Sequence, residues 1–178
     1  MVKKLSIVGV LVLCVGMSVY AKDFYVKIGA GMANVSEKSA YNYNVDFSNA
    51  KLYTAAIGKN FGNFAVEAEY SHESCDWNNK SLNLSGKGTT NGYMINGYYN
   101  FPLNSKFAPY IGAGIGHTNF TDGGYTSSGT TAYQGILGVS YPINNNFNLN
   151  AEYRYKYASY KSVDLTSNNL LVGLTIKF

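Results

Sequence analysis

The chain has 178 residues, which suits a single domain, and 46% of them are apolar but only 13% charged, about half the charged share of an ordinary soluble protein. Low charge argues against a disordered chain and a coiled coil, and the only long apolar run lies at the N-terminus, which excludes a helical membrane bundle. With 17 Tyr, 19 Gly and 3 Pro, what is left is a Gly/Tyr-rich β protein behind a leader.

The leader is read first. Met1-Val2-Lys3-Lys4 is basic, Leu5 to Val19 is apolar, and Val19 and Ala21 occupy the two positions that a signal peptidase reads. Residues 1–21 are predicted as a cleaved signal peptide, because the apolar run is short for a membrane anchor. Cys14 follows Leu13, which is not the small residue that a lipoprotein site requires. Cleavage would remove Lys3 and Lys4, take the formal charge from +4 to +2, and leave Cys75 as the sole cysteine. No nucleic-acid binding and no internal disulfide are expected of residues 22–178.

Eight strands are predicted, at about 24–33, 51–59, 64–71, 91–101, 108–117, 131–141, 147–157 and 168–178. In 64–71, Phe64, Val66, Ala68 and Tyr70 alternate with Ala65, Glu67, Glu69 and Ser71. In 91–101, Tyr93, Ile95, Gly97, Tyr99 and Phe101 oppose Gly92, Met94, Asn96, Tyr98 and Asn100. The pattern is plainest in 147–157: Phe147, Leu149, Ala151, Tyr153, Tyr155 and Tyr157 lie at one parity, and Asn148, Asn150, Glu152, Arg154 and Lys156 at the other. A period of two belongs to strands, not helices. Strands of this length cross a hydrocarbon core when tilted.

The connections alternate. Residues 34–50, 72–90, 118–130 and 158–167 are long, and 60–63, 102–107 and 142–146 are short. Such an alternation marks an antiparallel meander closed in a membrane. A soluble sandwich or a lipocalin-like barrel would alternate as well, but three features favour the bilayer. Aromatics collect at both strand ends, as two interfacial belts would. Glu67, Glu69, Glu152 and Arg154 sit in mid-strand on the polar parity, and the chain stops at Phe178 within the last strand. The predicted fold is all-β: an eight-stranded antiparallel up-and-down transmembrane β-barrel. Inward Gly29, Gly31, Gly112, Gly114, Gly116, Gly138 and Gly173 leave room for large side chains and for curvature.

An eight-stranded barrel is just wide enough for its own side chains to fill. The inward charges Lys27, Glu67, Glu69, Glu152, Arg154, Lys156 and Lys177 are expected to form a lumen network. Glu69 and Arg154 should meet across it, with Lys27 and Glu152 completing it, because the third and seventh strands lie on opposite walls.

Ala108-Pro109-Tyr110-Ile111-Gly112-Ala113-Gly114-Ile115-Gly116, Ala151-Glu152-Tyr153-Arg154-Tyr155 and the strand from Leu170 to Phe178 resemble the small eight-stranded outer-membrane barrels. These are the OmpA transmembrane domain and the opacity-type surface proteins. The resemblance covers essentially all of residues 22–178. It implies insertion by the barrel assembly machinery, with delivery by periplasmic chaperones. That machinery reads a terminal aromatic with alternating apolar residues, and Leu174, Ile176 and Phe178 match the signal. The peptidoglycan-binding domain of full-length OmpA has no counterpart, so no wall-tethering role is expected.

The expectation is a monomeric barrel in the outer membrane of a two-membrane bacterium, in contact with lipid including lipopolysaccharide. It would serve envelope structure and surface display, with adhesion to a host-surface or phage ligand through its outer loops. Those loops hold Tyr41, Tyr43, Trp77, Tyr125 and Tyr160 among Ser, Asn, Gly and Thr, a mixture similar to a binding paratope. A narrow ion-conducting, porin-like pore is the alternative. A lipid A-modifying enzyme is a weaker one: one such family uses His-x-Ser, whereas His117-Thr118-Asn119 lacks the nucleophile, and His72 has no obvious partner. No catalytic residue, cofactor or metal site is predicted, since two His and one Cys make no convincing ligand set.

Overall fold

The computed structural model describes residues 23–39, 46–47, 50–79, 84–122, 125–126, 129–160 and 163–178. Their regular elements are β1 (Phe24–Ser39), β2 (Asp46–Phe47), β3 (Ala50–Phe61), β4 (Phe64–Asn79), β5 (Leu84–Asn100), β6 (Ala108–Asp122), β7 (Tyr125–Thr126), β8 (Thr130–Pro142), β9 (Phe147–Tyr160) and β10 (Val163–Lys177). Eight of these form a ring in the order β1-β3-β4-β5-β6-β8-β9-β10, each antiparallel to both neighbours. β10 closes on β1 from Tyr25↔Lys177 to Ser39↔Val163. The two-residue strands stand apart, β2 on the far end of β4 and β7 on that of β6.

Closure has a physical cause. In hydrocarbon an unpaired backbone amide costs several kcal/mol, so a sheet that crosses a bilayer has no free edge. Among the described residues no helix is long and apolar enough to cross; the strands do so. Burial alternates along them, as in β3, where Ala50, Leu52, Thr54, Ala56 and Gly58 turn inward and Lys51, Tyr53, Ala55 and Ile57 outward. The molecule is inside out relative to a soluble protein: Leu170 is 65% exposed and Arg154 only 2%. A belt of Ile, Leu, Val and aromatic side chains of this extent calls for lipid as its solvent.

Short turns join the strands at one end, and the long hairpins rise at the other. Gly62, at φ 66°, occupies the first central position of the two-residue turn between Phe61 and Phe64, where a hairpin of the II′ type demands a positive φ. At the last of the short turns, residues 143–146, the Asn144 side-chain oxygen accepts from the amides of Asn146 and Phe147, both at 2.9 Å.

The observed strands outrun the predicted ones at the hairpin end. β1 continues to Ser39, β4 to Asn79 and β6 to Asp122, while β5 starts at Leu84 and β10 at Val163. Segments 34–39, 72–79, 84–90, 118–122 and 163–167 are therefore paired strand rather than loop. Alternating hydropathy records lipid on one face and lumen on the other. Beyond the bilayer both faces meet polar surroundings, so the ladder goes on without the pattern. At the turn end, Phe101 and Phe178 lie just outside their strands, although the Phe178 amide still donates to Phe24 O at 3.0 Å.

The lumen as candidate functional site

The lumen is built in layers. Nearest the turns, Tyr25, Ala65, Tyr98, Tyr110 and Ile136 pack together. Each tyrosine stands directly across from a glycine: Tyr25↔Gly58, Tyr98↔Gly112 and Tyr110↔Gly138. A Cβ at those glycines would fall 2.2, 2.6 and 2.3 Å from the ring atoms. The glycines are sockets for the rings. Gly112 and Gly138 are among the glycines expected to make room inward; Gly58 is an addition, from the strand whose parity is weakest in sequence.

The tyrosine hydroxyls point at carboxylates. Tyr25 donates to Glu67 Oε2 (3.1 Å), Tyr98 to Glu67 Oε1 (2.9 Å) and Tyr110 to Glu152 Oε1 (2.6 Å). Lys27 Nζ lies 2.8 Å from Glu67 Oε2 and 3.1 Å from Glu152 Oε1, and donates to the Tyr98 hydroxyl at 3.2 Å.

Arg154 holds the centre. Its Nη1 donates to both oxygens of Glu69, at 2.7 and 2.8 Å, and its Nε to Glu152 Oε2 at 2.7 Å. Nη2 also sits 2.6 Å from Glu152 Oε2, close but not aligned for a hydrogen bond. Asn96 Nδ2 reaches Glu67 (3.3 Å) and Glu69 (3.4 Å), and Gln134 Nε2 donates to Asn96 Oδ1 at 2.7 Å. Toward the hairpins, Met94, Ala132 and Ala158 form a small apolar layer, and Lys156 pairs with Glu73.

The strand order explains these meetings. β4 and β9 are diametrically opposed in the ring, so Glu69 and Glu73 face Arg154 and Lys156 across the lumen. Signs alternate along the chain Glu69–Arg154–Glu152–Lys27–Glu67. Taking such groups from water is costly, and it is offset only when each charge is paired and hydrogen-bonded. Glu73, Asn96 and Gln134 belong to the network although sequence reasoning passed over them. Asn96 and Gln134 share the polar parity of the charges, which was the available signal, whereas Glu73 lay in a stretch read as loop. With Glu73, four inward carboxylates (Glu67, Glu69, Glu73, Glu152) match four cations (Lys27, Arg154, Lys156, Lys177).

Lys177 stands apart. It makes none of these ion pairs and lines the mouth at the turn end, a cavity of about 560 Å³ shared with Asn60, Asn100, Asn148 and Lys27. Leu174 and Ile176 pair with Ile28 and Val26 of β1. Val19, Ala21, Tyr41 and Tyr43 lie outside the described residues. For Trp77, Tyr125 and Tyr160 the backbone alone is described, opposite Phe47, Asp122 and Val163. His117 faces outward, away from the lumen, and among the described residues no group of three or more His, Cys, Asp or Glu is set to hold a metal ion.

Fold and lumen together define an integral membrane β-barrel whose interior carries a polar, ion-paired network. The chain matches the family model described as outer membrane protein beta-barrel domain over residues 7–178, and it belongs to that family. The outer membrane is therefore its location. Outer membrane protein PagN of Salmonella typhimurium is 25% identical over a 127-residue alignment covering 54% of this chain and 53% of that one, so the chain spans about half the length of this curated relative. Among solved structures, Neisserial surface protein A aligns with a TM-score of 0.73 at 23% identity, over 88% of this chain and 98% of that one. OprG of Pseudomonas aeruginosa aligns with a TM-score of 0.58 at 17% identity, over 89% and 96%. Both likenesses concern the fold.

Proposed function

We propose that this barrel is a closed scaffold that displays its long hairpins on the cell surface, serving envelope structure and recognition or adhesion. The observation that carries this reading is the lumen network: Arg154 on β9, 2% exposed, reaches across the interior to Glu69 on β4 and pairs with Glu152 beside it. A blocked lumen leaves the hairpins as the part available to partners. Their strands run well past the aromatic belt on one side only, and the structural neighbour named as a surface protein has the same fold. In the same proposal residues 1–21 are cleaved on export, and the barrel assembly machinery with periplasmic chaperones inserts residues 22–178 as a monomer. Leu174, Ile176 and Phe178 serve as the recognition signal. No catalytic role is proposed.

Planar-bilayer conductance of the refolded protein, beside its Arg154→Ala variant, tests the closed lumen. A silent parent is expected. Discrete current steps in the parent, altered by the substitution, would instead favour a narrow ion path, a second reading supported by the polar mouth that reaches in to Lys27. Exchange of the β4–β5 hairpin tip on the cell surface tests recognition: binding to host cells or phage should change while barrel assembly does not.

A further inference from the structure

The mouth at the turn end holds polar atoms that no described residue satisfies. Six asparagines line it: Asn60, Asn100, Asn145, Asn146, Asn148 and Asn150. Five of them turn the amide nitrogen back into the frame. Asn60 donates to Asp23 O (3.4 Å), Asn100 to Asn63 O (3.3 Å) and Asn146 to Lys177 O (3.1 Å). Asn148 donates to Ser140 Oγ (3.0 Å) and Asn150 to Thr175 Oγ1 (2.7 Å). A main-chain carbonyl only accepts, so in the first three the nitrogen must face it and Oδ1 is left to other partners. None of the five Oδ1 atoms accepts from a described residue, and that of Asn148 is buried as well. A buried carbonyl oxygen without a donor is costly, so this one calls for a donor from outside the chain.

Beside it stands a cation in the same condition. Lys177 is opposite Tyr25 on β1, and its amide donates to Asn146 O on the other side. Thr175, two residues earlier, pairs with Asn148, so Lys177 and Asn148 are diagonal neighbours on the inward face. The half-buried Lys177 ammonium has no ion-pair or hydrogen-bond partner among the described residues, Asp23 and Phe178 included. The sequence makes carboxylates scarce at this end: residues 1–22 and the turns 60–63, 101–107 and 143–146 contain neither Asp nor Glu. Asp23 is exposed at the rim, and Glu67 and Glu152, deeper in, are held by Lys27.

The cavity, about 560 Å³, has the size of a small-molecule site. Tyr25, Tyr98 and Tyr110 line its inner end, and their hydroxyls are committed to Glu67 and Glu152. What they offer a ligand is ring surface. The acceptors stand on separate walls, at the ends of β3 and β5 and on β9. β3 and β9 are three places apart in the ring, more than about 10 Å at the usual strand spacing, which one ammonium group does not span. A ring with hydroxyls around its perimeter does span it. Further in, the Lys27–Glu152–Arg154 contacts close the way.

We infer that the turn-end mouth binds an acidic sugar, whose carboxylate pairs with Lys177 and whose hydroxyls donate to Asn148 and the facing asparagine oxygens. That the pocket is blind rests on the closed lumen proposed above.

Isothermal titration of the refolded protein in mild detergent with sodium glucuronate tests the site, beside glucose, acetate and glycine. Glucose, which lacks the carboxylate, should bind roughly tenfold more weakly or worse, because a charge-assisted hydrogen bond is lost. Lys177→Gln should weaken glucuronate by the same roughly tenfold and leave glucose nearly unchanged. Lys177→Arg, which keeps the charge, should restore most of the binding and guards against misfolding of the glutamine variant. Asn148→Ala should weaken both sugars about fivefold, the loss of one neutral hydrogen bond. Glucuronate binding that is not saturable in the parent, or that survives Lys177→Gln unchanged, overturns the site. Acetate or glycine binding as tightly as glucuronate overturns the sugar assignment. Bilayer conductance reads the closed lumen separately: current steps in the parent that glucuronate blocks, and that it fails to block in Lys177→Gln, would open the lumen and keep the site at its entrance.

Discussion

Replacing Arg154 by Met removes the cation that bridges two carboxylates at the centre of the lumen. The cost can be worked from the contacts. Glu152 keeps Lys27 at 3.1 Å and the Tyr110 hydroxyl at 2.6 Å, so it remains compensated. Glu69 loses both bonds to Nη1 and is left with Asn96 Nδ2 at 3.4 Å, at 4% exposure. Orphaning one member of a buried ion pair costs about 3–5 kcal/mol, and a single long amide contact recovers little of it. Replacing Glu69 by Gln in the same molecule removes the orphaned charge, so the double variant should return to within about 1–2 kcal/mol of the parent. Reversible urea unfolding in lipid vesicles, read by gel mobility before and after boiling, supplies the free energies. A loss below about 1 kcal/mol for Arg154→Met, or a double variant no better than the single one, would refute the account of a paired lumen.

Other perturbations follow the same contacts. Tyr110→Phe removes a 2.6 Å hydroxyl bond to a buried carboxylate and should lower stability by about 1.5–3 kcal/mol in the same assay, with no change when Tyr141, exposed on the same barrel, is altered instead. Gly138→Ala drives a methyl to within 2.3 Å of the Tyr110 ring; about 1–3 kcal/mol should be lost, and less in a Tyr110→Ala background, where the socket is empty. Deleting Phe178 should lower the assembled fraction in cells more than shortening the 80–83 connection does, as measured by heat-modifiable mobility of the membrane fraction; equal effects would remove its role as an insertion signal.

The alternation from Phe147 to Tyr157 was readable because lipid and lumen impose opposite hydropathy on adjacent residues, and that same contrast assigned Lys27, Glu67, Glu69, Glu152, Arg154 and Lys156 to the interior. The meeting of Glu69 with Arg154 follows from strand count and direction, since the third and seventh staves of eight are opposed and run the same way, which sets the two residues at comparable depth. Glu73 escaped because residues 72–79 lie where the outer face no longer meets hydrocarbon, so Ser, His, Asp and Asn erase the period while the backbone ladder persists. Gly58 escaped for a different reason: Ala55, Ala56 and Gly58 leave little hydropathy difference between the two faces of β3. Lys177 shares the inward parity, but its place at the mouth sets it beyond reach of the carboxylates, which parity does not encode.

In the proposed orientation, the height of the β4–β5 hairpin would set where the cell can be touched. Nine steps separate Tyr70, in the aromatic belt, from Asn79 at the end of β4. At about 3.3 Å per step and a tilt near 40°, the end of β4 stands roughly 23 Å above the belt. The extension is paired sheet rather than tether, with β2 bracing its outer end. With the hairpins outward, as proposed, a partner would meet a fixed mast at a fixed elevation, and the depth of the surface sugar coat would decide whether that mast is offered or hidden. A bacterium that trims its surface carbohydrate would unmask this protein without making more of it.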